Sequence, residues 1–131
     1  MPNKQAITAV KDLNCFAVRT RRIRAWEDVH LPQCHSRTVF DLFILIATFC
    51  VARKELSLRT IFSSLDYSER GIRNALATLS EAGLCEVVDG EMDKRSKFVT
   101  STKLGREKFL SYRALVLDEY SDFLGTFDPV I

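Results

Sequence analysis

The sequence predicts a mainly α (α+β) fold: a helix-turn-helix, then a two-stranded β-hairpin, with long helices at both ends. Three observations predict it. All five glycines lie at position 71 or later and Pro32 is the one internal proline, so the first half reads as long helices and the second half holds the turns. Ser36, Ser57 and Ser68 each precede an apolar run at helical spacing, as N-caps do. Asp89-Gly90 lies between two β-prone segments, the signal of a hairpin. A chain of 131 residues fits one domain, 1–131, with enough length to bury a core unaided.

In chain order, Ile7, Val10, Phe16 or Ala17, and Ile23 recur at helical spacing among Lys and Arg, predicting an amphipathic helix over roughly 4–26. A loop, Asp28–His35, surrounds Pro32. Ser36 then caps a helix running to about Lys54. Val39, Phe40, Leu42, Phe43, Ile44, Leu45, Ile46, Phe49 and Val51 make it apolar nearly all round, so it belongs inside the protein. Its apolar stretch is interrupted by Asp41 and is shorter than the ~20 residues a membrane span needs.

Ser57 caps a short helix with Leu58, Ile61, Phe62 and Leu65 on one face. After the tight Asp66-Tyr67 connection, Ser68 caps a fourth helix that buries Ile72, Ala75, Leu76 and Leu79. Gly83 ends it in the left-handed conformation and Leu84 folds back. Cys85–Val88 and Phe98–Thr100 form the hairpin, with a charged tip between them. Thr102 caps the last helix, which carries Phe109, Tyr112, Val116, Tyr120 and Phe123 as a stripe continuing beyond the core. A protruding apolar stripe asks for a partner, here a second copy of the chain.

The net charge of +2 hides five blocks. Met1–Arg24 carries +5, Ala25–Thr78 is neutral, Leu79–Asp93 carries −5, Lys94–Arg113 +6 and Ala114–Ile131 −4. Two basic blocks point to a polyanion, because Lys and Arg replace counterions on phosphates. The start of the chain lacks the apolar core of a signal peptide, so a cytoplasmic location is expected, with no membrane contact. The cysteines at 15, 34, 50 and 85 are scattered, and are expected to be reduced and mostly buried. Glu27, Asp28, His30, Cys34 and His35 are metal-capable types, but their spacing fits no common site, so no metal is expected. Two histidines, no phosphate-cradling glycine loop and no Gly-x-Ser-x-Gly leave no activated nucleophile. The reading is not an enzyme and needs no cofactor.

The segment from about Ser57 to Phe109 resembles the winged helix-turn-helix of the MarR (multiple-antibiotic-resistance regulator) family. The residues that carry this are Ser57-Leu58, Ser68-Glu69-Arg70-Gly71-Ile72-Arg73-Asn74-Ala75-Leu76, Leu79-Ser80-Glu81-Ala82-Gly83-Leu84, Asp93-Lys94-Arg95-Ser96 and Thr102-Lys103-Leu104-Gly105-Arg106. Ser80 departs from the family's usual glutamate, and Ser101 from a leucine. The resemblance implies a winged core over about 36–105 and dimerisation helices over about 4–26 and 103–125. Ile7, Val10, Phe109, Tyr112, Val116, Tyr120 and Phe123 would serve the dimer.

The implied function is a homodimeric, sequence-specific transcription regulator on double-stranded DNA. Arg70, Arg73 and Asn74 sit in the first two turns of the recognition helix, where Arg pairs with guanine and Asn with adenine in the major groove. Ser68 and the helix start suit a phosphate, and Gly71 allows close backbone approach. Lys94, Arg95 and Lys97 form the wing tip, with Arg95 at the minor groove. An unidentified small-molecule effector is a further implication. Asn14-Cys15-Phe16-Ala17-Val18 is similar to the Leu-Cys-Phe-Ala-Leu stretch of the family's organic-hydroperoxide-sensing branch. The tyrosines expected to support that cysteine are absent from the second helix, so Cys15 is read as a structural core residue. The rival function is a winged-helix protein-interaction module that does not bind DNA directly, with the acidic 79–93 block as its docking surface.

Overall fold

A computed structural model describes the backbone of residues 4–90 and 95–126, and the side chains of 15–90 and 95–121. The elements follow in the order α1 (Lys4–His30), a 3-10 turn (Pro32–Cys34), α2 (Arg37–Val51), α3 (Leu58–Ser64), α4 (Glu69–Glu81), β1 (Cys85–Asp89), β2 (Lys97–Ser101) and α5 (Lys103–Thr126). The predicted helix-turn-helix and hairpin are present. No described helix is long and apolar enough to cross a membrane.

Two boundaries differ from expectation. The first helix runs a full turn beyond Trp26, so Asp28, Val29 and His30 are helical rather than loop. Trp26 accounts for this: its ring stacks on His30 at 4.5 Å and meets Tyr112 of α5 at 6.0 Å, contacts that need the helical spacing. Pro32 then opens the 3-10 turn, where its missing N–H costs nothing. The second helix stops at Val51 instead of Lys54. Arg53 adopts a left-handed φ of 57°, and the Lys54 N–H reaches back to the Phe49 carbonyl at 2.9 Å, closing the helix without a glycine. A non-glycine residue there costs about 1–2 kcal/mol.

The core is one cluster. Leu31, Leu42, Ile46, Leu56, Ile61, Ile72 and Leu79 are its largest fully buried side chains. Each contributes about 1.5–3 kcal/mol by leaving water. α2 lies at its centre, with Val39, Leu42, Phe43, Ile46 and Ala47 buried, as its apolar sequence requires. The hairpin pairs Cys85 with Ser101 through Asp89 with Lys97, antiparallel. The Val99 N–H donates to the Leu56 carbonyl at 2.8 Å, so β2 is held on both sides and β1 is the free edge. Ser101 is buried opposite Cys85, and its carbonyl accepts from Arg106 Nη1 at 3.0 Å.

α1 and α5 pack side by side. The Thr20 and Tyr120 hydroxyls share a hydrogen bond at 3.1 Å, Phe16 meets Tyr120 at 6.0 Å, and Arg22 lies 3.6 Å from Glu119. Arg22 of the basic N-terminal block thus meets Glu119 of the acidic C-terminal block within one chain. This contact offsets part of the charge that suggested a polyanion surface on α1.

The cysteines also correct an expectation. Only Cys85 is buried; Cys15, Cys34 and Cys50 are half-buried, and all four are free. Cys15 lies outside the core cluster and accepts a hydrogen bond from Arg19 Nε at 3.0 Å. Burial and the nearby Glu27 push the Cys34 thiol up to about 11. Burial alone would raise Cys50 as well, but the Thr100 hydroxyl, the Ser101 backbone and Arg106 outweigh it and hold that thiol below its ordinary value.

Candidate nucleic-acid interface

α4 starts where the Ser68 side chain accepts the Gly71 N–H at 3.0 Å. Ile72, Ala75 and Leu79 bury one face of it. At 3.6 residues per turn, Arg70, Arg73 and Asn74 then fall on the opposite face, and all three are exposed. Gly71 is half-buried and an added Cβ would sit 3.1 Å from the Ser68 hydroxyl, so its smallness serves the cap.

Arg73 is not a free-swinging cation. Its Nε and Nη2 both donate to Glu69 Oε1, at 3.2 and 2.8 Å, and its guanidinium lies 5.1 Å from the centre of the Phe62 ring. Glu69 from one helical turn before and Phe62 from α3 thus restrain the guanidinium. The i,i+4 spacing of Glu69 and Arg73 was readable in the sequence; the Phe62 contact needed the tertiary fold.

The turn before α4 carries a further link. The Tyr67 hydroxyl donates to Asp41 Oδ2 on α2 at 2.6 Å. That bond and the Glu27 and Asp28 side chains lie along an open, polar cleft of ≈ 700 Å³ between the end of α1, the 3-10 turn and the start of α2. Cys34 and His35 also line it, whereas His30 stacks on Trp26 instead. No group of three metal-capable side chains converges among the described residues.

At the hairpin, Arg95 and Lys97 are exposed. Lys97 forms an ion pair with Asp89, its cross-strand partner, so one of the predicted phosphate contacts is already engaged. The Gly90 N–H donates to the Ser96 carbonyl at 2.9 Å and closes the strands. Lys94 lies outside the described residues, as do the side chains of Ile7, Val10 and Phe123.

The other stripe residues are placed within one chain. Phe109 meets Phe43 edge-on at 6.4 Å, and Tyr112 meets Phe40 at 5.7 Å. Burial and Glu27 push the Tyr112 phenol up to about 12. Val116 and Tyr120 are half-buried, while Phe16, Leu110 and Leu117 remain exposed on α1 and α5.

No protein-family model matches the sequence, and no curated protein is significantly similar to it. Solved structures do share its fold. A MepR mutant from a multidrug-resistant S. aureus clinical isolate is 16% identical over 95% of this chain and 83% of its own, with a TM-score of 0.64. A second S. aureus MepR mutant, bound to an oligodeoxyribonucleotide, is 14% identical over 87% of this chain and 82% of its own, with a TM-score of 0.63. The heme sensor protein PefR from Streptococcus agalactiae, in complex with heme, is 16% identical over 98% of this chain and 84% of its own, with a TM-score of 0.57. The fold these structures share with the chain is a winged helix-turn-helix, in which α3 and α4 form the helix-turn-helix and β1–β2 the wing.

Proposed function

We propose that this chain is a sequence-specific regulator of transcription that binds double-stranded DNA as a homodimer in the cytoplasm and performs no catalysis. The observation that carries the reading is the outer face of α4. Arg70, Arg73 and Asn74 are exposed together in its first two turns, opposite the buried Ile72/Ala75/Leu79 ridge. In this reading α4 enters the major groove, Ser68 and the start of α4 lie near a phosphate, and Arg95 and its lysine neighbours flank the minor groove. The oligodeoxyribonucleotide bound by one MepR mutant of the same fold adds support. The exposed Phe16, Leu110 and Leu117, with Ile7, Val10, Val116 and Phe123, would supply the second copy's contact, burying ~2,000 Å² or more. The cleft beside α2 has room for a small-molecule effector, and PefR of this fold was solved with heme.

A salt titration tests this on two duplexes, random sequence and the chain's own upstream region. The expected result is binding that weakens steeply with salt on both, and ~10³-fold or more tighter on a near-palindrome with half-sites ~10 bp apart. Arg73→Ala should lose ~1–3 kcal/mol on that site and relax one base position. Sedimentation should give a dimer at micromolar concentration. Failure to bind either duplex would leave the protein-interaction module as the reading.

A further inference from the structure

Asp41 is out of place by composition. After Arg37 it is the only charged side chain of α2, whose other residues are largely apolar and form the centre of the core. A half-buried carboxylate at such a position is costly unless it is hydrogen-bonded. The Tyr67 hydroxyl meets that need: it donates to the carboxylate at 2.6 Å, within the short range of bonds to an ionised acceptor. The carboxylate in turn holds the phenol protonated, raising its pKa chiefly through this bond.

Tyr67 is the residue immediately before the Ser68 cap. A capping box fixes a helix start from both sides, with a Glu or Gln at the third helical position reaching back to the cap's N–H. That position is Gly71, which has no side chain to reach with. The direction in which the chain enters α4 therefore depends on Tyr67, whose ring packs against the core cluster and whose hydroxyl is tied to α2. Arg70, Arg73 and Asn74 lie three to seven residues further on, so any change at Tyr67 is carried to all three.

We infer that the Asp41–Tyr67 hydrogen bond is a latch that sets the pose of the recognition helix, making Asp41 and Tyr67 positioning residues for base reading. This rests on the DNA-binding reading for its effect on affinity, but not for its effect on the helix itself. Neither side chain touches a base; both act through α4.

The test uses the full-length chain with Tyr67→Phe, Asp41→Ala, Asp41→Asn and the Tyr67→Phe/Asp41→Ala double variant. Two quantities are measured: affinity for preferred and random duplex, and hydrogen exchange of the free protein. Tyr67→Phe should lower affinity for the preferred duplex about tenfold and leave random duplex and salt slope unchanged. Asp41→Ala should lose the same amount, and the double variant no more, because each removes the same bond. Asp41→Asn should recover most of the loss, since its amide oxygen still accepts. Exchange should speed up at Gly71–Arg73 and stay unchanged at Leu79–Glu81. Additive losses, an equal loss on random duplex, or unchanged exchange in the first turn of α4 would overturn the latch. If the wild-type chain binds no duplex, the regulator reading fails and the exchange comparison alone decides the latch.

Discussion

α4 is held by different means at its two ends. At its exit, backbone meets backbone. Gly83 takes a φ of 74°, and the Leu84 N–H closes on the Leu79 carbonyl at 3.0 Å. Thr102 then binds the exit to α5: its hydroxyl donates to the Gly83 carbonyl at 2.5 Å and accepts the Gly105 N–H at 3.0 Å. Gly105 faces the Leu84 carbonyl so closely that a Cβ would fall 2.1 Å from its oxygen. At its start, α4 is held by two side chains, the Ser68 cap and the Tyr67 hydroxyl. The lesson is one of placement. The end remote from the proposed base contacts joins backbone bonds to a hydroxyl from α5, whereas the end nearest them depends on two side-chain hydroxyls that lie beside those contacts in sequence.

The comparison can be broken most severely at Gly105. Gly105→Ala should destabilise the fold by at least ~3 kcal/mol in denaturant titration, because the obstacle is backbone and cannot move aside. Thr102→Ala should cost ~2 kcal/mol by removing both the α5 cap and the bond to Gly83, whereas Thr102→Ser should keep both and stay near wild type. At the other end, Ser68→Ala should cost only ~1 kcal/mol and raise amide exchange in the first turn alone. Smallest of all is the wing pair. Asp89→Ala removes an exposed partner of Lys97 and should change thermal stability by less than ~1 kcal/mol.

Most of the winged core could be read in advance because its signals are local. Ser36, Ser57 and Ser68 each accept the backbone N–H three residues on, as their positions implied. Gly83 turned as its place after Leu79 suggested, and the exposed face of α4 followed from its period. What escaped was tertiary. Asp41 was visible as a lone charge in an apolar run, but its partner lies 26 residues away. The extra turn of α1 depends on Trp26 meeting Tyr112, which no local pattern encodes. Nor does any local pattern place Arg22 beside Glu119, so the charge blocks alone do not reveal that these two meet within one chain.

The α1–α5 seam has a consequence for folding order. Thr20 and Tyr120 are 100 residues apart in sequence, so their contact closes nearly the whole chain, whereas the α2–α4 core and the hairpin close much shorter loops. Loop closure loses entropy as the loop lengthens, and contacts between distant residues form slowly. The seam should therefore be absent from the folding transition state. Phe16→Ala should speed unfolding and leave the refolding rate nearly unchanged, while Ile61→Ala, in the core, should slow refolding. Stopped-flow chevrons of the two variants distinguish these outcomes, and equal slowing of refolding in both would mean that the terminal helices dock early.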